Sequence, residues 1–372
     1  DEAATYRHAL DFLDTLGREA ADRGLALKDR LEGQSVVWCV TQWGPMPDWS
    51  PDVRNALVRY LGGSVVVEPG SGTDGDSNQD GTPSTLVELA ERELLDPTYL
   101  AKIDRLLRSK RQVIFYGPPG TGKTYIARKL AAHYADGNPN AVELVQFHPS
   151  YAYEDFVEGF RPADINGTPG FRLTHGPLRR IATAASHDTS RLHVLIIDEV
   201  NRANVAKVFG ELYFLLEYRT EDISLQYSPD QRFKLPENLL IIGTMNSADR
   251  SIALVDAALR RRFYFVPFFP DEPPIQDLLR RWLGRHKPDY LWLADVVDRM
   301  NARLDRNLAV GPSHFLRTDL DDNWIALIWE HAVLPYLSEQ FIEDDTALSE
   351  FALDRLKASV SSSTARSKAS FS

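Results

Sequence analysis

Apolar positions along this chain fall into helical and strand-like runs, and the elements they predict divide it into five segments. Ala9, Phe12, Leu13 and Leu16 recur at helical spacing, and Leu25, Leu27 and Leu31 carry the pattern to about residue 32. Residues 35–40 and 64–67 read as short strands with a helix over 51–61 between them, so 1–67 is predicted to be a small α/β region. Residues 68–84 hold no apolar side chain larger than Pro and are rich in Gly, Asp and Ser, the composition of a flexible linker. Helical spacing resumes with Leu86, Leu89, Ala90 and Leu94, then Tyr99, Ile103, Leu106 and Leu107. Strand-like runs follow at 113–116, 143–147, 194–197, 239–242 and 264–268. Continuous apolar strands are buried on both faces, as in a parallel sheet between helices. Helical runs at 125–134, at 179–185 and over Val205, Val208, Phe209, Leu212 and Leu216 lie between them. The turn signals Asn166-Gly167 and Pro169-Gly170, and a second candidate over 223–233, predict two hairpin inserts. An α/β domain over 85–270 is thus expected. Leu278, Leu279, Trp282 and Leu283, then Val296, Val297, Met300 and Leu304, then Trp324 to Trp329, predict a helical domain over 271–357. The Ser-rich stretch 358–372 reads as a disordered tail.

Composition narrows the setting more than the chemistry. The 372 residues suffice for two or three domains, and 43% hydrophobic with 26% charged residues is ordinary for a soluble globular chain. A net charge of −11 argues against a surface coated for nucleic acid and leaves room for a local basic patch or a pore loop. The single cysteine, Cys39, excludes an intramolecular disulfide and a Cys-based zinc cluster, and fits a cytoplasmic, reducing setting. No apolar run approaches the ~18 residues of a transmembrane helix, so no membrane contact is expected. The chain begins at Asp1 rather than Met, as a fragment or a processed chain would.

The candidate chemistry starts at Gly117, Pro118, Pro119, Gly120, Thr121, Gly122, Lys123 and Thr124. This is the G-x-x-x-x-G-K-[ST] pattern between a strand and a helix, where backbone N–H groups and a helix N-terminus cradle phosphates. Lys123 is expected to reach the β- and γ-phosphates, and the Thr124 hydroxyl to hold Mg2+. The apolar run 194–197 ends in Asp198 and Glu199, placing one acid to bind Mg2+ and the next to polarise an attacking water. The run 239–242 leads to Asn246, which would lie beside the γ-phosphate, with Asp249 and Arg250 following at the same sheet edge. Arg260, Arg261 and Arg262 close a helix. They read either as a dipole-stabilised charge cluster or as an arginine finger given to the next subunit.

In this order (phosphate loop, strand-Asp-Glu, strand-Asn, helix-Arg-Arg, helices) the chain resembles an AAA+ P-loop NTPase module with a C-terminal helical lid. Three segments narrow the resemblance: Gln146 to Tyr151 with Tyr153-Glu154-Asp155-Phe156, then Asp198-Glu199-Val200-Asn201-Arg202-Ala203-Asn204, then Thr244 to Ser251 running on to Phe263. Together they are similar to the McrB family, the GTP-hydrolysing motor of modified-cytosine-specific restriction complexes, over residues 86–345. The resemblance implies a homo-oligomeric, hexameric ring with nucleotide between subunits and a McrC-like nuclease partner. It implies a hydrolytic role for Asn246 and Asp249, and a role in trans or at the interface for Arg261 and Arg262. The family signature Met-Asn-Thr-x-Asp is matched by Met245-Asn246-Ser247-Ala248-Asp249, a change that keeps the hydroxyl. The lid segment Gly311 to Phe315 matches a family segment without the arginine many AAA+ proteins carry there. GTP comes from the resemblance alone, because the phosphate motifs fit GTP or ATP equally. Residues 1–67 do not resemble the family's DNA-reading domain, so DNA is a possible partner that the sequence does not show. An ATP-driven protein remodeller without a DNA role is the alternative.

Overall fold

The computed structural model describes residues 85–165, 168–248, 257–339, 341 and 348–360. The expectations for 1–67, for the linker 68–84 and for Asp249 and Arg250 lie outside the described residues. Helix α1 (Leu86–Arg92) opens on a capping box, with Thr85 Oγ1 accepting the Glu88 N–H at 3.1 Å and Glu88 Oε2 accepting the Thr85 N–H at 3.3 Å. Helix α2 (Pro97–Lys110) starts on Asp96 with Pro at its first position and ends at Arg111 in the left-handed region. The core strands are β1 (Gln112–Gly117), β2 (Val142–Gln146), β5 (His193–Asp198), β8 (Leu239–Asn246) and β9 (Tyr264–Pro267). Around and between them run α3 (Lys123–Tyr134), the hairpin β3 (Glu158–Ile165) and β4 (Thr168–His175), α4 (Pro177–His187), α5 (Val205–Phe209), α6 (Leu212–Glu217), the hairpin β6 (Ile223–Leu225) and β7 (Ser228–Phe233), and α7 (Ala257–Arg262).

The sheet order is β2-β5-β8-β1-β9 with every pairing parallel, the architecture the apolar strands predict. Alternation along β1 shows why these strands carry no polar face. Ile114 packs with Leu195, Ile197 and Ile241 against α4, α5 and α6. Val113 and Phe115 point the other way, with Val194, Ile196, Leu240 and Ile242, into α1, α2 and α3. Both faces are covered, so both parities are apolar. A third core belongs to the lid, where α8 (Leu278–His286), α9 (Leu291–Asn301), α10 (Asp322–Ile328) and α11 (Leu334–Ser338) enclose Phe315 and Trp329.

Two elements depart from the sequence reading. The helix expected across Val205 to Leu216 is two helices, broken at Gly210, whose φ of +49° suits a residue without Cβ and whose open side is closed by the Tyr153 ring. Residues 353–360 are helical with Leu356 buried, so helix runs through 358–360, the first residues of the expected tail.

The two hairpins are tied to each other and to α4 by a buried ion pair. Glu158 on β3 is fully buried and pairs with Arg179 of α4, while Ser228 on β7 donates its Oγ–H to the same carboxylate, 2.7 and 2.9 Å from its two oxygens. Arg179 also donates to Ser228 Oγ at 3.0 Å and to Gln231 Oε1 at 2.6 Å. Burial pushes the Arg179 guanidinium below its ordinary value. Removing one partner strands the other, so Arg179→Met should destabilise the α/β domain by about 3–5 kcal/mol, as measured by urea unfolding.

Candidate functional site

The phosphate loop joins β1 to α3, and its glycines have separate reasons. A methyl group at Gly117 would lie 2.2 Å from the Phe268 carbonyl oxygen, because β9 continues past β1 at this point. Gly120 (φ +74°) and Gly122 (φ +81°) take left-handed conformations that turn the chain into α3. Thr121 Oγ1 donates to the Pro118 carbonyl at 3.0 Å. Lys123 is buried and donates to the carbonyls of Gly117 at 3.0 Å and Pro118 at 2.7 Å, so its ammonium is held inside the loop. Burial brings its pKa down to about 8, with the Glu199 and Asp198 carboxylates acting in the opposite sense.

Asp198, the last residue of β5, receives two hydroxyls on Oδ1. Thr124 donates at 2.6 Å, and Thr244 of β8 donates as well. Thr244 also accepts the Glu199 N–H at 3.4 Å, so one hydroxyl spans both acids. The sequence reading passed over Thr244, although its place two residues before Asn246 was the available signal. Among the described residues no group of three His, Cys, Asp or Glu side chains could hold a metal. Thr124 and Asp198 could together offer two oxygens to a Mg2+ whose other ligands came from water and phosphate.

Glu199 sits in the left-handed region at φ +55°, ψ +46°. Its Oε1 accepts from Asn246 Nδ2, and its Oε2 lies 3.3 Å from Arg202 Nε yet is buried without a hydrogen bond. Burial raises its pKa above the usual carboxylate value, opposed chiefly by the Arg202 charge. The expected site residues from Gly117 to Thr124, Asp198, Glu199 and Asn246 therefore come together at one sheet edge. Arg261 and Arg262 meet instead at Glu217, at the end of α6. Arg262 is committed inside the subunit, donating to the Tyr213 carbonyl at 2.7 Å and to the Ala258 carbonyl at 3.1 Å, with Glu217 at 3.1 Å. The Arg261 side chain pairs with Glu217 and is 69% exposed.

The lid reaches the loop directly. Ser313 N–H donates to the Gly120 carbonyl at 3.0 Å, and a methyl group at Gly311 would lie 2.1 Å from the Gly120 carbonyl carbon. His314 stands beside Gly120 in the lid segment that lacks an arginine, and burial lowers its pKa. A cleft of about 430 Å³ opens from Gly120–Gly122 between the lid and the α1–α2 turn, lined by Glu93, Leu94, Tyr125, Ile126 and Trp282 among others. Its apolar walls and its position against the phosphate loop suit a nucleoside.

A phosphate loop, a strand-end acid pair and a lid on a parallel sheet of this order define the class of AAA P-loop nucleoside triphosphatases. Residues 112–263 match the AAA domain of the dynein-related subfamily, and residues 292–349 match the McrB alpha-helical lid domain. The Type IV methyl-directed restriction enzyme EcoKMcrB subunit of Escherichia coli (strain K12) is 38% identical over 289 residues, covering 71% of this chain and 61% of that protein. The Type II restriction enzyme BsuMI component YdiS of Bacillus subtilis (strain 168) is 27% identical over 294 residues, covering 67% of this chain and 84% of that one. Protein sickie of Drosophila melanogaster is 27% identical over 278 residues, covering 68% of this chain and 11% of its own length. The chain thus carries an McrB-like AAA domain followed by an McrB lid domain.

The backbone approach of the lid is directly testable. Gly311→Ala forces a methyl group against Gly120, so it should weaken nucleotide binding at least tenfold in a fluorescent-nucleotide titration, with a stability loss of about 1–3 kcal/mol by calorimetry.

Proposed function

We propose that this chain hydrolyses a nucleoside triphosphate, GTP or ATP, with Mg2+, and works as the ring-forming motor of a McrBC-like restriction or defence complex in the cytoplasm. The observation that carries the reading is the convergence of Lys123, Thr124, Asp198, Glu199 and Asn246 at the carboxyl ends of β1, β5 and β8. Backbone N–H groups of the loop and of α3 bind the β- and γ-phosphates, and Lys123 exchanges its carbonyl contacts for phosphate oxygens. Thr124 and Asp198 would hold Mg2+, which when bound would supply charge neutralisation for the phosphates. Glu199 orients a water and accepts its proton as the water oxygen bonds to the γ-phosphorus and the bridging oxygen leaves with the diphosphate. Its burial-raised pKa suits that task. Asn246 fixes the Glu199 carboxylate through Oε1.

The arginines divide the remaining work. Arg261, exposed on the outer face, is the one to reach a neighbour's nucleotide, whereas Arg262 braces α6 against α7. The hexameric ring, a McrC-like nuclease subunit and DNA as the moved substrate rest on the family, with the EcoKMcrB subunit and YdiS each named as part of a restriction enzyme. Asp249 enters the proposal through the family signature. No helix among the described residues is long and apolar enough to cross a membrane.

Phosphate release measured with GTP and ATP, with and without DNA and a co-encoded nuclease subunit, tests the reading. Preference for GTP with stimulation by the partner is expected. ATP preference with no response to either would replace the motor by a protein remodeller. Glu199→Gln should bind nucleotide normally and turn over ~10²-fold or more slowly. In mixing experiments, Arg261→Ala subunits should depress the rate of wild-type subunits beside them. Arg262→Ala should chiefly lower the melting temperature.

A further inference from the structure

Among the described residues, buried side-chain polar atoms without a hydrogen-bond partner cluster around one residue. Glu199 Oε2, Asn201 Oδ1 and Ser247 Oγ belong to the neighbours of Asn246. Asn201 lies in the 3-10 turn Val200–Arg202 that follows the second acid, and it is only 6% exposed. Its Nδ2 donates to the Asn246 carbonyl at 3.3 Å. That carbonyl is the last of β8. The strand's ladder with β1 ends at Gly117 and Asn246, and the next link runs from Ser247 N–H to the Gly117 carbonyl at 3.0 Å. The turn is also seated on β8 by packing, because a methyl group at Gly243 would lie 2.8 Å from Val200 Cγ2.

We propose that Asn201 is a positioning residue for hydrolysis: it extends the β8 ladder by one side-chain hydrogen bond, fixing the backbone of Asn246 so that Asn246 Nδ2 meets Glu199. The inference rests on the hydrolytic reading above and adds a residue to it. The contact works on orientation and not on nucleotide contact, so its loss should appear in kcat and leave binding alone. A misplacement of about 1 Å at a reacting group is worth up to ~10²-fold in rate.

Asn201→Asp keeps the shape and the acceptor but removes the donor. Asn201→Leu keeps the volume and removes both. Each variant is to be compared with the wild-type chain for kcat and KM of GTP and ATP hydrolysis, for the Kd of mant-GTP and mant-ATP, and for melting temperature. The expected result is a kcat lowered about 10- to 100-fold in both variants, with Kd within threefold of wild type. Wild-type kcat in Asn201→Asp overturns the proposal, since the acceptor alone would then suffice. A matched loss in Kd, or a rate loss that only follows a lower melting temperature, overturns it in favour of a packing role. A wild-type chain that binds nucleotide without turnover removes the hydrolytic reading and this inference with it.

Discussion

The register of three adjacent parallel strands decides where every reacting group stands. Phe115 is level with Thr244 and Gly117 with Asn246 across β1 and β8, while Ile197 is level with Gly243 across β5 and β8. Asp198 and Thr244 thus leave the sheet side by side, and the phosphate loop leaves it beside Asn246. Because side chains alternate, a slip of one residue in any of these pairings would turn the acids and the hydroxyl to the opposite face. What prevents a slip is the burial of both faces. Ile114, Leu195, Ile197 and Ile241 fill one core, and Val113, Phe115, Val194 and Ile196 the other. A shifted strand would have to exchange both sets at once.

That rigid edge carries strain at one point. Glu199 is not glycine, yet it holds a left-handed conformation, which costs about 1–2 kcal/mol. The neighbours that over-determine it are specific. Its N–H meets Thr244 Oγ1, its carbonyl accepts the Arg202 N–H at 2.9 Å, and its carboxylate lies between Asn246 and Arg202. The bend directs the acid out of the strand line and back over the loop, where a straight continuation of β5 would carry it past the site. Strain of this kind persists where the surroundings enforce it.

Much of this was legible in the chain. Continuous apolar runs gave the parallel sheet, because their burial on both faces leaves no other pattern, and G-x-x-x-x-G-K-[ST] with its flanks located Lys123 and Thr124. The second acid followed from its place after the run 194–197. What stayed hidden were contacts between segments far apart in sequence. Thr244 reads as one more strand residue until β8 lies beside β5. Gly311 reads as a loop glycine until the lid brings it onto Gly120. The break at Gly210 was missed because apolar spacing continues across it, and its positive φ and the Tyr153 ring, 57 positions earlier, appear only in the fold. Periodicity records which face of an element is apolar, and says nothing of which backbone approaches it.

The same limit applies to the arginines, and there the geometry adds a physical distinction. In sequence Arg261 and Arg262 are interchangeable members of a basic helix end. In the fold one carboxylate, Glu217, meets both, but from different environments: Arg262 is 17% exposed and Arg261 69%. A half-buried guanidinium with carbonyl acceptors on two sides is held by hydrogen bonds that would have to be broken before it could move. An exposed pair is screened by water and holds its guanidinium only weakly. The cluster therefore fixes the Arg262 guanidinium and leaves that of Arg261 the less constrained of the two.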